Sequence, residues 1–131
     1  MPNTKVACRG TTDTFISNGV DLSTSAGLCV YVNTNGKITK CSDATTGQPF
    51  ILVEAGGSET NAECTICLYG KCKAKIGNGG VNEGADLTSD TNGEVIATTT
   101  ADNFTVGRAL HAGADGDECE ILVMPGRYSI D

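Results

Sequence analysis

The chain has 131 residues, enough for one compact domain, with a net charge of −7, no Trp, three Phe and three Tyr. An acidic surface repels a nucleic-acid backbone, and so few aromatics leave no platform for stacking bases or sugars, so nucleic acid is set aside as a partner. No window approaches the roughly 20 apolar residues of a membrane span; the polar start Met1–Val6 also lacks a secretory apolar stretch, so no membrane partner and a cytoplasmic assembly are expected.

In chain order, residues 1–20 read as an N-terminal arm rich in Thr, Ser and Asn, and residues 21–131 as the folded body. The arm carries Lys5 and Arg9 against Asp13, a net +1 beside a body at −8. It reads either as an extension reaching a neighbouring subunit or as a plain terminus with a first strand at Lys5–Cys8. Leu28–Val32 and Lys37–Cys41 form a hairpin around Asn35-Gly36, a pair that tolerates positive φ. Phe50–Val53 is a short buried strand. Tyr69-Gly70 reads as a two-residue turn that sets Leu68 against Lys71 and Cys67 opposite Cys72. Asp86–Ser89 and Glu94–Thr98 repeat the hairpin around Asn92-Gly93. Phe104–His111 and Glu120–Met124 are further apolar strands, separated by the Gly-rich turn Ala112–Gly116. Seventeen glycines at short intervals, and no segment with a sustained 3.6-residue period, give an all-β chain.

The chain matches itself. Gly27 onwards and Gly84 onwards register at an offset of 57, laying Thr34-Asn35-Gly36 on Thr91-Asn92-Gly93 and Pro49–Val53 on Val106–Leu110. After a slip of two, Glu63-Cys64-Thr65-Ile66 falls on Glu118-Cys119-Glu120-Ile121. Pseudo-repeats over about 27–70 and 84–127 predict a small β-barrel or β-sandwich of two similar halves, with an extended N-terminal arm; closure removes exposed strand edges.

The seven cysteines are the one chemical feature. Cys64-x-x-Cys67 has half a zinc-site spacing, but residues three apart on a strand face opposite ways, so no metal site is expected. Cys67 and Cys72, opposite one another across the expected turn, are the candidate disulfide, although a host cytosol keeps thiols reduced. The sole histidine, His111, sits at a strand end, and no nucleophile elbow, zinc-protease helix or phosphate loop occurs. No catalytic residue and no cofactor are expected, and the chain is read as not an enzyme.

Gly84-Ala85-Asp86-Leu87-Thr88-Ser89-Asp90, Asn92-Gly93-Glu94-Val95, Val106-Gly107-Arg108-Ala109-Leu110 and the closing Glu118–Gly126 together resemble capsid cement (head decoration) proteins of tailed bacteriophages. That family shows a Gly-Asp pair opening a strand, a T-S-D-x-x-G hairpin, a V-G-x-A-L strand and a final apolar strand. Here Ala85 intrudes between Gly84 and Asp86, and Arg108 stands where a small or apolar residue is usual. The resemblance covers residues 50–127 well and 20–49 loosely. It implies a structural virion protein on the outer capsid surface, assembled in the host cytoplasm, that binds the major capsid protein, associates as a homotrimer and braces capsomer contacts. The competing reading is a host-facing adhesin or glycan-binding module. Lys5, Arg9 and the apolar pair Phe15-Ile16 are the arm's candidate capsid or neighbour contacts, joined by Arg127-Tyr128 after the last strand.

Overall fold

The computed structural model describes residues 5–18, 22–55 and 62–128; the expected arm's first four residues and its boundary at 20/21 lie outside them. The described chain is all-β, with nine strands and no helix: β1 (Thr11–Ile16), β2 (Cys29–Val32), β3 (Ile38–Lys40), β4 (Phe50–Glu54), β5 (Glu63–Lys75), β6 (Asp86–Ser89), β7 (Val95–Ala97), β8 (Phe104–Ala109) and β9 (Glu118–Arg127). The sheet order is β3-β2-β4-β5-β9-β8-β6-β7, with β1 also on β5.

The order reads the same from either end because the two halves share their pairing. Val30 opposes Lys40 and Leu87 opposes Ala97; Cys29 opposes Ile51 and Asp86 opposes Arg108. Every one of these partners is displaced by 57 between the halves. Each half then curls until its ends meet. Ser17 bridges Ile38 in parallel, with Asn18 N–H donating to the Ile38 carbonyl at 2.9 Å. Ile76 bridges Val95 in the same sense, with Gly77 N–H donating to the Val95 carbonyl at 2.8 Å. The result is a pair of small barrels, built from β1–β5 and from β5–β9, sharing β5.

The hairpins differ in detail from the expected two-residue Asn-Gly turn. Each loop has three residues, and only the glycines, Gly36 at φ 74 and Gly93 at φ 79, take the left-handed region. The residue heading the loop does the rest. Asn33 Oδ1 accepts from the N–H groups of Asn35 and Lys37, and Asp90 Oδ1 accepts from those of Asn92 and Glu94. A short polar side chain thus closes the loop on itself, which is why Asn and Asp are favoured there.

One expectation is corrected. Tyr69-Gly70 is not a turn: β5 runs through it for 13 residues, Glu63–Tyr69 lying along β1 and β4 and Gly70–Lys75 along β9. Gly70, at φ 113, and a register shift opposite Thr11/Thr12 absorb the bend, as a bulge does. The polar N-terminal segment runs extended along the body, where Thr11–Ile16 forms the strand that opens the first barrel. Its side chains are mostly exposed, so it carries no apolar alternation to announce it.

Two apolar clusters fill the molecule. The first barrel encloses Val30, Ile38, Leu52, Cys64 and Ile66, with Phe15 packed against them. The larger cluster takes in the second barrel's Leu87, Val95, Ala109, Ile121 and Val123, then continues across the seam to Cys29, Ile51 and Cys67. Each fully buried Ile or Leu contributes about 1.5–3 kcal/mol.

Candidate functional site

The equivalent pairings put one cross-strand row on the outside of each barrel. In the first half it runs Cys29, Ile51, Cys67, Thr12; in the second, Asp86, Arg108, Leu122, Lys71. The first row is covered by the second half: Cys29 N–H donates to the Gly93 carbonyl at 2.7 Å, and Cys29, Ile51 and Cys67 are each 0% exposed. Burial pushes the Cys29 thiol well above its ordinary value and Cys41 to about 12, so these two are inert core groups.

The second row lies open. Arg108 Nε donates to Asp86 Oδ1 at 3.2 Å with both side chains in solvent, a pair worth little to stability. Met124, two residues beyond Leu122, is 37% exposed, and Tyr69, one place beyond the Gly70–Val123 pair, is 55% exposed. They are the exposed large apolar side chains among the described residues. Arg127 extends the patch, its guanidinium carbon 4.4 Å from the centroid of the Phe104 ring on the neighbouring strand. Arg, Tyr and Met beside a charged rim is the composition of a protein-contact surface.

The six contact residues expected from sequence fall in three places. Arg127 and Tyr128 line one shallow groove with Asp86, Arg108 and Met124, so they join the open row. Tyr128 is also fixed through its backbone, donating to Asn103 and accepting from Asp102. Lys5 and Arg9 line a second groove with Cys8, Thr12, Glu54 and Thr65. Phe15 and Ile16 end β1, both half-buried, and Phe15 packs against the first-half core. Sequence reasoning missed Asp86, Arg108, Leu122, Met124 and Tyr69 as one surface. A signal existed: the offset of 57 lays charged Arg108 on apolar Ile51.

Cys67 and Cys72 do meet, though by the bend in β5 and not by a turn, and Cys8 joins them. All seven cysteines stand as thiols. Elsewhere, a broad depression at one end is lined by Gly79, Gly80, Val81, Ala85 and Ala97 with Asp115 and Asp117. Asp117 spends an oxygen on the Ala114 N–H at 3.0 Å, and the exposed His111 lies beyond the end of β8. That depression gathers no nucleophile and base.

No protein-family model matches the chain, and no curated protein matches it. Among solved structures, the fold is similar to the N base of head fiber gp8.5 of bacteriophage phi29, with a TM-score of 0.69 over 92% of this chain and 99% of that one at 12% identity. At that identity the likeness establishes a shared fold, a small all-β barrel architecture running the length of both chains.

Proposed function

We propose that this chain is a structural, non-enzymatic protein of a bacteriophage virion that sits on the outer surface of the head and braces contacts between capsomers of the major capsid protein. The observation that carries this reading is the fold shared end to end with a phage head-fibre base. The ordered cement-like motifs of residues 84–126 support it independently. The open row Asp86–Arg108–Leu122–Lys71, flanked by Met124, Arg127 and Tyr128, is the surface assigned to the shell, and Lys5 and Arg9 supply a second contact. Self-association, as a homotrimer, multiplies these contacts. Many weak clamps on one lattice gain avidity without any single strong contact, and a clamp that prefers one state of the shell stabilises that state by mass action.

A second reading, favoured by the same fold likeness, makes the chain the base of a host-facing fibre or adhesin. Copy number separates the two. Purified heads incubated with the chain and sedimented are expected to carry it in numbers comparable to the major capsid protein. A small fraction of that number points to a fibre base, and absence from the pellet sinks both readings. Replacing Arg108 and Met124 together by Ala and Ser is expected to lower retention at least tenfold while the circular dichroism spectrum is unchanged.

A further inference from the structure

The bend in β5 has a chemical consequence at the seam between the halves. Cys67 and Cys72 are an odd number of residues apart, and a regular strand would face them in opposite directions. The register shift and Gly70 invert the alternation, so both enter the same cluster, at 0% and 1% exposure, while Cys64 faces the other core. Cys8 arrives from the N-terminal segment through an antiparallel bridge to Cys72. Arg9 N–H donates to the Lys71 carbonyl at 2.8 Å and Lys73 N–H to the Ala7 carbonyl at 2.9 Å. That makes Cys8/Cys72 a non-hydrogen-bonded pair, the position where opposed side chains approach most closely. The three sulfurs all lie within 4.8 Å of one another.

The backbone around them is shaped for this convergence. A Cβ on Gly10 would sit 2.2 Å from the Tyr69 carbonyl oxygen and 3.0 Å from Cys67 Sγ, and one on Gly70 would sit 2.6 Å from Gly10 Cα. Two glycines therefore permit the segment bearing Cys8 to lie against β5 at the thiols. Gly10 N–H also donates to Cys8 Sγ at 3.4 Å.

We propose that Cys8, Cys67 and Cys72 are a three-thiolate site for a soft cation, zinc(II) or copper(I). Zinc–sulfur bonds of about 2.3 Å set tetrahedral sulfurs about 3.8 Å apart, so the cluster closes on an ion with shifts of an ångström or less. Thiolates select these cations, and a reducing cytosol preserves them as ligands. A disulfide uses two sulfurs and leaves the third without a role; an ion uses all three and takes its remaining ligand from the groove beside half-buried Cys8. Each thiol releases its proton on binding, so affinity rises with pH. The bound ion staples the N-terminal segment to the strand shared by both barrels.

The test uses the full chain, stripped of metal under reductant, then titrated with zinc(II) or, without oxygen, with copper(I); cobalt(II) serves as the optical reporter. One ion per chain is expected, with a thiolate-to-cobalt charge-transfer band. Cys8→Ser is expected to weaken binding at least tenfold, and Cys119→Ser to leave it unchanged. Alkylation keeps the idea exposed even if a variant misfolds: the ion is expected to shield Cys8 in the unaltered chain. Tighter retention of zinc or of copper identifies the cation. Loss of both ions on gel filtration, an unaffected Cys8→Ser, or alkylation of Cys8 at the same rate with and without ion each overturns the proposal.

Discussion

The two barrels share a backbone pattern and part company in one row of side chains. At the pairing Cys29–Ile51 the first half presents apolar groups, and the second half covers them; at the identical pairing Asp86–Arg108 the second half presents a solvated ion pair. Inside the barrels the halves stay alike, Leu52–Ile66 in one corresponding to Ala109–Ile121 in the other. The core positions keep the duplicated fold, and the outer row decides which barrel face is covered by its neighbour and which stays open to solvent. Buried charge is costly and exposed charge is cheap, so one substitution pattern fixes the direction of the arrangement.

The sharpest way to break this comparison is to exchange the two environments. Ile51→Arg places an unpaired guanidinium at a position 0% exposed. Its cost, several kcal/mol, is comparable to a whole domain's stability of about 5–15 kcal/mol, and the variant is expected to be unfolded or insoluble. Arg108→Ile, the reverse exchange, is expected to shift stability by less than about 1 kcal/mol. Urea midpoints measure both. Equal midpoints would mean that the two outer rows are not differently packed.

Much of the fold was legible in the sequence because its signals are local. The hairpin glycines and the short apolar runs of β4 and β9 each depend on neighbouring residues alone, and the offset of 57 emerges by matching such local runs to one another. What escaped depends on distant partners. Tyr69-Gly70 carries turn chemistry, yet a glycine at positive φ also serves a bulge inside a strand, and only β1 and β9 lying on opposite sides of it decide between the two. Thr11–Ile16 shows no alternation because β5 gives it a backbone partner without burying its first four side chains. The Cys8–Cys67–Cys72 cluster joins segments far apart in sequence through an inversion of strand phase, which no spacing rule contains. Arg127 and Tyr128 stand out in the sequence as a pair, but Arg108 reaches their groove only through the β8–β9 pairing.

A milder comparison sets the two hairpin glycines against each other. Gly36 and Gly93 occupy the same left-handed position, where a side chain costs about 1–2 kcal/mol. A Cβ on Gly36 meets nothing within 4 Å, whereas one on Gly93 meets Lys40 Cγ at 3.1 Å and the Cys29 carbonyl oxygen at 3.3 Å. Gly93→Ala is therefore expected to lose about 1 kcal/mol more than Gly36→Ala, the difference reporting the docking of the β6–β7 turn on the first half. Thermal midpoints of the two variants test it, and equal losses would remove that turn from the seam.

The smallest expected effect separates the loops that follow the hairpins. In the first half Asp43 accepts from the Thr46 hydroxyl at 2.6 Å and from the Thr45 and Thr46 N–H groups at 2.9 and 2.8 Å, bonds that hold its carboxyl below the ordinary value of 3.8. In the second half the offset places Thr100 there, and the loop relies on the Thr98 hydroxyl, which accepts from Thr100 N–H at 3.2 Å and Asn103 Nδ2 at 3.0 Å. A lowered carboxyl favours the folded state above the unfolded value, and the contribution disappears as pH falls through the folded one. Asp43→Asn is thus expected to cost on the order of 0.5 kcal/mol at neutral pH, the exposed setting screening most of the gain. The cost shrinks toward zero below the carboxylate range. Because the neighbouring Ala44 carbonyl accepts from Phe104 N–H at 2.9 Å, the loosened loop bears on the start of β8. Amide exchange is therefore expected to quicken at Phe104 above pH 4.5 and to match the unaltered chain in acid. Equal exchange at both pH values would confine Asp43 to its own loop and leave the seam to the backbone alone.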